Sequence, residues 1–259
     1  MLAAFCAVCA LGAGCLTTLS SEPEVDPIAL AASIRNVGSD YLRQGKYAMA
    51  IRTLQDAQRQ NPSDPVTYYS LGEAFRSKGL LPEAEANLLL SLEKSPNPQD
   101  PNYQEATLTL ATVYIQMERY PEAEVLCQIL IDDPTYARPW IALTNRGWAE
   151  YKSGRFLEAQ ASYEEALDFR SDYALAHFNL GQLDQAQSRW LSAIRQLELA
   201  SESKQLSPLA QAEAHFRMGE IYITLDRKDK AVEEFRAATE KAPQDKWGTD
   251  SRTYLDMLL

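Results

Sequence analysis

Histidine and cysteine are the side chains best suited to bind a metal ion or to act as a nucleophile, and the sequence has two and four of them. Neither His177 nor His215 has a cysteine or carboxylate at a spacing typical of metal ligands. No phosphate-binding loop, nucleophile elbow or dinucleotide-binding fingerprint occurs in the sequence. The sequence therefore predicts a protein that is not an enzyme and that uses no metal, cofactor or small-molecule substrate.

The acidic residues are numerous, but their arrangement favours a solvated surface over acid–base chemistry. Adjacent pairs such as Glu164–Glu165 and Glu233–Glu234 are typical of exposed helix faces. The net charge is −11, from 36 acidic and 25 basic residues. Because a phosphate-binding surface needs an excess of lysine and arginine, this balance argues against a nucleic-acid partner. A neutral or basic protein partner fits the composition better.

Three of the four cysteines lie within the first 15 residues. Cys6 and Cys9 are part of an uncharged apolar run from Leu2 to Leu11, and Cys15 follows this run. A run of this length is typical of the apolar region of a signal peptide and is too short to span a bilayer. Small residues follow up to Gly14, and Cys15 comes next, an order that resembles a bacterial lipobox.

The lipobox resemblance implies cleavage before Cys15, so that residues 1–14 are a signal peptide and 15–28 are a tether with a covalent diacylglycerol or acyl anchor on Cys15. In many such lipoproteins an aspartate directly after the acylated cysteine prevents sorting to the outer membrane. The residue here is Leu16, which implies an outer-membrane location with the folded domain on the periplasmic side. An ordinary secretory signal and a buried N-terminal helix are the alternatives. No lysine or arginine precedes the apolar run, which departs from the usual signal pattern.

Residues recur along the chain with a period of 34. Gly38 and Gly72 are one period apart, and so are the pairs Tyr41 and Phe75, Gly45 and Gly79, Ala50 and Ala84, and Pro62 and Pro96. This period, with small residues where two helices must approach closely and proline at the end, is that of the tetratricopeptide repeat (TPR). Cys127 and the two histidines fall at core positions of this pattern.

The sequence therefore predicts an all-α, right-handed superhelical TPR solenoid over residues 29–259. The predicted repeats lie near 31–64, 65–98, 104–137, 140–173, 174–200 and 212–245, and a capping helix covers 247–258. Repeat five is irregular, because reading Gly181 to Ala186 as its turn and second helix leaves the first helix about seven residues short. Its two helices are either short or fused into one, and a loop follows from Ser201 to Pro208.

In such an array the first helix of each repeat lines a concave face, where a protein partner binds. Asparagine at repeat position 6 is suited to bond a peptide backbone, although it is also common there without a function. Apolar residues at positions that the core does not need suit a hydrophobic ligand, unless a neighbouring helix covers them. The candidate groove residues are Asn36, Leu42, Tyr69, Asn145, Trp148, Tyr151 and Asn179. A basic clamp for a terminal carboxylate is not apparent.

The junction between repeats three and four carries Asp133-Pro134-Thr135-Tyr136-Ala137-Arg138-Pro139-Trp140, followed by Asn145-Arg146-Gly147. Together with the lipobox and six repeats, this segment resembles the type IV pilus biogenesis lipoproteins (the PilF/PilW family), and most closely its six-repeat social-motility branch, the Tgl type. The resemblance implies a pilotin, which binds the pilus secretin and helps it reach the outer membrane and assemble. A TPR lipoprotein of another envelope machine, for β-barrel assembly or for recruiting a cell-wall enzyme, is the alternative.

Overall fold

The computed structural model describes residues 26–259, and this part of the chain is helical with no strand. Its 13 helices are α1 (Pro27–Arg43), α2 (Tyr47–Gln60), α3 (Pro65–Ser77), α4 (Leu81–Lys94), α5 (Pro101–Gln116), α6 (Tyr120–Asp132), α7 (Pro139–Lys152), α8 (Phe156–Phe169), α9 (Ala174–Ala186), α10 (Trp190–Ser201), α11 (Pro208–Thr224), α12 (Lys228–Lys241) and α13 (Lys246–Leu258).

The first twelve helices form six hairpins, and each helix packs on the next one along the chain. The first helices of neighbouring repeats also contact one another, from α1 with α3 through to α7 with α9. They therefore form one continuous face, while the second helices form the opposite face. The predicted all-α TPR solenoid is confirmed.

Three first helices begin at an Asp-Pro pair. The carboxylates of Asp26, Asp64 and Asp100 accept hydrogen bonds from backbone N–H groups two residues later, at 3.0, 3.2 and 2.8 Å. Proline then occupies the first turn, where its missing N–H costs nothing. The first helix consequently begins at Pro27, two residues before the predicted start of the domain.

Glycine at repeat position 8 lets the two helices of a hairpin approach closely, as the period predicts. A methyl group on Gly72 would lie 2.6 Å from Cγ of Leu88, and one on Gly147 would lie 2.6 Å from the ring of Tyr163. Tyr163 and Leu88 are fully buried. The space that these glycines leave is therefore filled by the large side chains of the facing helix.

The interpretation of Gly181 to Ala186 as the turn and second helix of repeat five is wrong, and the two helices of this repeat are neither shortened nor fused. Helix α9 spans 13 residues and α10 spans 12, and they form an ordinary hairpin. Gly181 is at repeat position 8, inside α9, where it faces Leu197. It is therefore not part of the turn. The loop predicted from Ser201 to Pro208 is shorter on both sides, because Ser201 ends α10 and Pro208 begins α11.

The turn of repeat five was misplaced because the segment from Gly181 to Ala186 matches the turn pattern, while a serine occupies the true turn position. Gly45, Gly79 and Gly154 adopt φ of 71–78° at the turn of repeats one, two and four. Glu118, Ser188 and Asp226 adopt φ of 56–59° at the same place in the other three repeats. This left-handed conformation is costly for a residue with a side chain and nearly free for glycine.

We expect Ser188→Gly to raise the free energy of unfolding by up to about 1 kcal/mol, because removal of left-handed strain outweighs the added freedom of the unfolded chain. Chemical denaturation of the two proteins measures the difference. Gly154→Ser, which introduces the same strain in repeat four, is expected to shift the midpoint in the opposite direction. Equal midpoints for all three proteins would contradict this account of the turns.

The two ends of the described solenoid differ. At the C-terminal end, α13 covers the last repeat, and Tyr254 stacks on the buried Phe235 with ring centroids 4.6 Å apart. At the other end, Val37 is 46% exposed, whereas Leu71 and Leu110 at the same repeat position are each 1% exposed. Val37 occupies repeat position 7, which is buried in the next two repeats. It is exposed because this position is normally covered by the second helix of a preceding repeat.

Candidate protein-binding groove

The first helices α5, α7, α9 and α11 enclose a hollow of about 500 Å³ on the concave face. Its apolar walls come from four side chains on three of these helices, namely Ile115, Trp148, Leu175 and Phe178. Phe178 belongs to the buried core of the last repeats, and only 6% of the residue is exposed. We call this hollow the groove; it is the size of a site for a few residues of a bound segment.

Side-chain amides line the groove between the apolar walls. Asn179 and Gln182 are only 6% and 7% exposed, yet neither side chain makes a hydrogen bond within residues 26–259. The Asn145 amide has a single long contact, 3.5 Å to the hydroxyl of Thr112. None of these amides is among the fully enclosed polar atoms that lack a partner in residues 26–259, so they open onto the groove and can donate to and accept from a peptide backbone.

The groove carries little free charge. Arg217, the single cation among its lining residues, donates to the Glu213 carboxylate at 3.0 and 2.6 Å and to the Gln185 amide oxygen at 3.1 Å. Its guanidinium is therefore committed to neighbouring side chains. The surface left for a ligand is neutral, apolar at the walls and amide-rich between them.

Three predicted groove residues, Asn145, Trp148 and Asn179, come together in the groove. Tyr151 lies beside it rather than in it. Its ring packs against Trp148 at a centroid distance of 5.4 Å and against the buried cluster around Tyr163. A neighbouring helix therefore covers part of Tyr151, the alternative that the sequence left open.

The other predicted groove residues lie outside the hollow, in the first two repeats. Asn36 is exposed on α1, and Leu42 packs against the core around Leu54. Tyr69 is half-buried against α5, and this burial raises the pKa of its phenol to about 12. That these three residues contact a protein partner remains a prediction.

The sequence did not point to Ile115, Leu175, Phe178 or Gln182 as groove residues. Ile115 lies at repeat position 12 of repeat three, the position that singled out Tyr151 in repeat four. Applying that criterion to every repeat would have found it. The other three lie on α9 at repeat positions 2, 5 and 9 counted from Ala174, so the count that selected Asn179 at position 6 would have found them as well.

The segment Asn145–Gly147 joins the groove to the core of repeat four. Asn145 lines the groove, and Gly147 admits the ring of Tyr163 behind it. Between them, Arg146 donates to the Ser162 hydroxyl at 3.0 Å and to the Gln128 amide at 2.8 Å. The guanidinium thus ties α7 to both neighbouring second helices and fixes the position of Asn145 and Trp148.

The two histidines, the first candidates for metal binding, both have hydrogen-bond partners within the fold. His177 lies 3.0 Å from the Ser171 carbonyl and 2.7 Å from the Gln196 side chain, and His215 lies 2.8 Å from the Glu234 carboxylate. Within residues 26–259, no cluster of histidine, cysteine and acidic side chains has a geometry suited to a metal ion.

Cys127 is fully buried between α5 and α7, and burial raises the pKa of its thiol to about 12. We therefore expect it to react with a thiol reagent such as dithionitrobenzoate at least 100-fold more slowly than a free cysteine at pH 8. The measurement uses a variant with Cys6, Cys9 and Cys15 replaced by serine. Rapid modification of the native protein, rather than only after denaturation, would contradict the burial.

Cys15, the predicted acylation site, and the predicted signal peptide lie outside the described residues. Along residues 26–259, no helix combines the length and the apolar character needed to cross a membrane.

Family models support the repeat architecture. Models described as tetratricopeptide or TPR repeats match residues 38–103, 147–188 and 212–245. No curated protein matches the chain in sequence.

Several solved structures share the fold. PilW, described as a widely conserved type IV pilus biogenesis factor, superposes with a TM-score of 0.73 at 18% identity, over 85% of this chain and 97% of PilW. PilF of Pseudomonas aeruginosa gives a TM-score of 0.68 at 14% identity, over 88% of this chain and 99% of PilF. A chain of the APC/C hetero-tetramer Cut9–Hcn1 gives a TM-score of 0.70 at 15% identity, over 85% of this chain but only 42% of that one. At such identities the likeness shows a shared fold and no more.

Proposed function

The chain is a protein of tetratricopeptide repeats, and from that premise we propose that it is an outer-membrane lipoprotein that binds the type IV pilus secretin and promotes its localisation and assembly. The observation that carries the binding role is the neutral groove, in which unpaired amides lie between apolar walls. Such a surface recognises a protein segment by its backbone and by a large apolar side chain.

Two observations and one prediction favour the secretin over other protein partners. The chain is similar to PilW and PilF over nearly their whole length, which is not so for the matched chain of the Cut9–Hcn1 tetramer. The junction segment from Asp133 to Trp140 resembles the same family. The predicted acyl anchor on Cys15 would hold the groove at the inner surface of the outer membrane, where a secretin subunit arrives before it inserts.

The test is a blot for heat-resistant secretin oligomers in source cells that lack the gene. We expect the oligomers to disappear on deletion, to return with the wild-type gene and to return incompletely with Cys15→Ala. Another outer-membrane β-barrel protein, measured in the same extracts, is the control and is expected to stay unchanged. Persistence of secretin oligomers in the deletion strain would contradict the proposal.

A general loss of β-barrel proteins in the deletion strain would instead favour the alternative function, a TPR lipoprotein of the barrel-assembly machinery. In that case the groove would still bind a protein segment, but the secretin would not be its specific partner.

A further inference from the structure

A chain of aromatic rings leads out of the groove towards the turn between α7 and α8. Trp148 in the groove lies 5.4 Å from Tyr151, and Tyr151 lies 5.7 Å from Phe156, measured between ring centroids. Phe156 begins α8 and is 37% exposed. The apolar wall of the groove therefore continues beyond the hollow, through Tyr151, to Phe156 at the α7–α8 turn.

Two exposed leucines lie beside the turns of this repeat and the next one. Leu157 is 78% exposed and Leu191 is 77% exposed, and they occupy the same position, the second residue of α8 and of α10, in neighbouring repeats. The other four repeats have alanine, proline, proline and aspartate at this position: Ala48, Pro82, Pro121 and Asp229. We call Phe156, Leu157 and Leu191 the turn ledge.

We propose that the segment bound in the groove leaves it over the α7–α8 turn and continues across the turn ledge with apolar side chains. This inference rests on the proposed function and adds a second contact surface to the groove. Asn145 and Lys152 are seven residues apart on α7, about 10 Å along the helix axis. An extended segment covers that distance in three or four residues.

Other occupants of the turn ledge fit less well. Binding to an anionic lipid surface needs several unpaired cations. The flanking Arg155 and Arg189 are paired with Glu124 and Asp184, and Lys152 lies over the Trp148 ring, 5.8 Å from its centroid. A stable dimer needs an interface of about 1,200 Å² or more, which three side chains do not supply. Continuity with the groove favours a protein segment that is already bound there.

The experiment measures the affinity of the full-length protein for the purified pilus secretin of the same bacterium, by titration in detergent. We expect the double variant Leu157→Ser, Leu191→Ser to bind about tenfold more weakly than wild type. The matched control is Val125→Ser, Ile129→Ser on the opposite face, whose residues are 61% and 44% exposed. The control is expected to bind within twofold of wild type.

Wild-type affinity in the turn-ledge variant, with weaker binding by Trp148→Ala, would overturn the inference and leave the proposed function standing. If the wild-type protein did not bind the secretin, the proposed function and the inference would both be wrong. Sedimentation and vesicle flotation of the same variants complete the test. A loss of self-association or of lipid binding in the turn-ledge variant, at unchanged secretin affinity, would assign the ledge to another occupant and overturn the inference.

Discussion

Trp148→Ala is expected to weaken binding of the pilus secretin by about 100-fold, the largest effect on binding among single substitutions in the groove. Trp148 is the largest side chain that lines the hollow, and it is of the kind that dominates the energy of protein interfaces. A 100-fold change corresponds to about 2.7 kcal/mol of binding free energy. Because Trp148 is only partly buried, we expect the free energy of unfolding to fall by less than about 2 kcal/mol.

Trp190→Ala provides the control, since Trp190 is also partly buried but packs against the core of the last two repeats, away from the groove. It is expected to lower stability and to leave secretin affinity within about twofold, because it lies outside the groove. A loss of about 3 kcal/mol or more in Trp148→Ala would show that Trp148 is a core residue. Unchanged affinity in that variant would remove the groove as the binding surface.

Gly248→Ala is expected to cause the largest loss of stability from a single added methyl group, about 3 kcal/mol. Gly248 lies in α13, and a β-carbon there would lie 2.1 Å from the backbone carbonyl oxygen of Ala242. Backbone atoms do not move aside as a side chain does, so α13 must shift from the last repeat. The shift would expose the apolar surface around Phe235, which α13 covers.

Thermal unfolding measures this effect, and Thr249→Ala, at the exposed neighbour of Gly248, is the control. We expect Gly248→Ala to unfold at a clearly lower temperature and to bind a hydrophobic dye before the main transition, because a solenoid end opens locally. Identical unfolding curves for Gly248→Ala and wild type would contradict the close packing of α13.

The repeat architecture was predictable because the close approach of two helices imposes residue types at fixed spacing. Gly38, Gly72 and Gly147 report that approach directly, and Asp-Pro pairs mark where several first helices begin. The prediction was wrong at repeat five because Gly181, inside α9, was read as the turn glycine, while the true turn residue is Ser188 in a left-handed conformation. The surrounding structure, and not the residue type, fixes the conformation of this turn. The position of the turn is therefore hard to recognise in the sequence.

The groove was only partly predictable. Asn145, Trp148 and Asn179 were found from their positions within the repeat, but the same criteria selected Asn36 and Tyr69, which lie outside the hollow. Repeat positions report which way a side chain points on its own helix. They do not report which neighbouring helices converge, and the hollow exists only where α5, α7, α9 and α11 do so.

The most direct test of the central claim is photo-crosslinking in living cells, with benzoylphenylalanine in place of Leu175 in the groove or of Val125 on the opposite face. Both residues lie in the helical repeats, and Val125 is the more exposed of the two. The account predicts a crosslink to the pilus secretin from position 175 and none from position 125. A secretin crosslink from position 125 alone, or none from either position while the protein is present at its normal level, would contradict it.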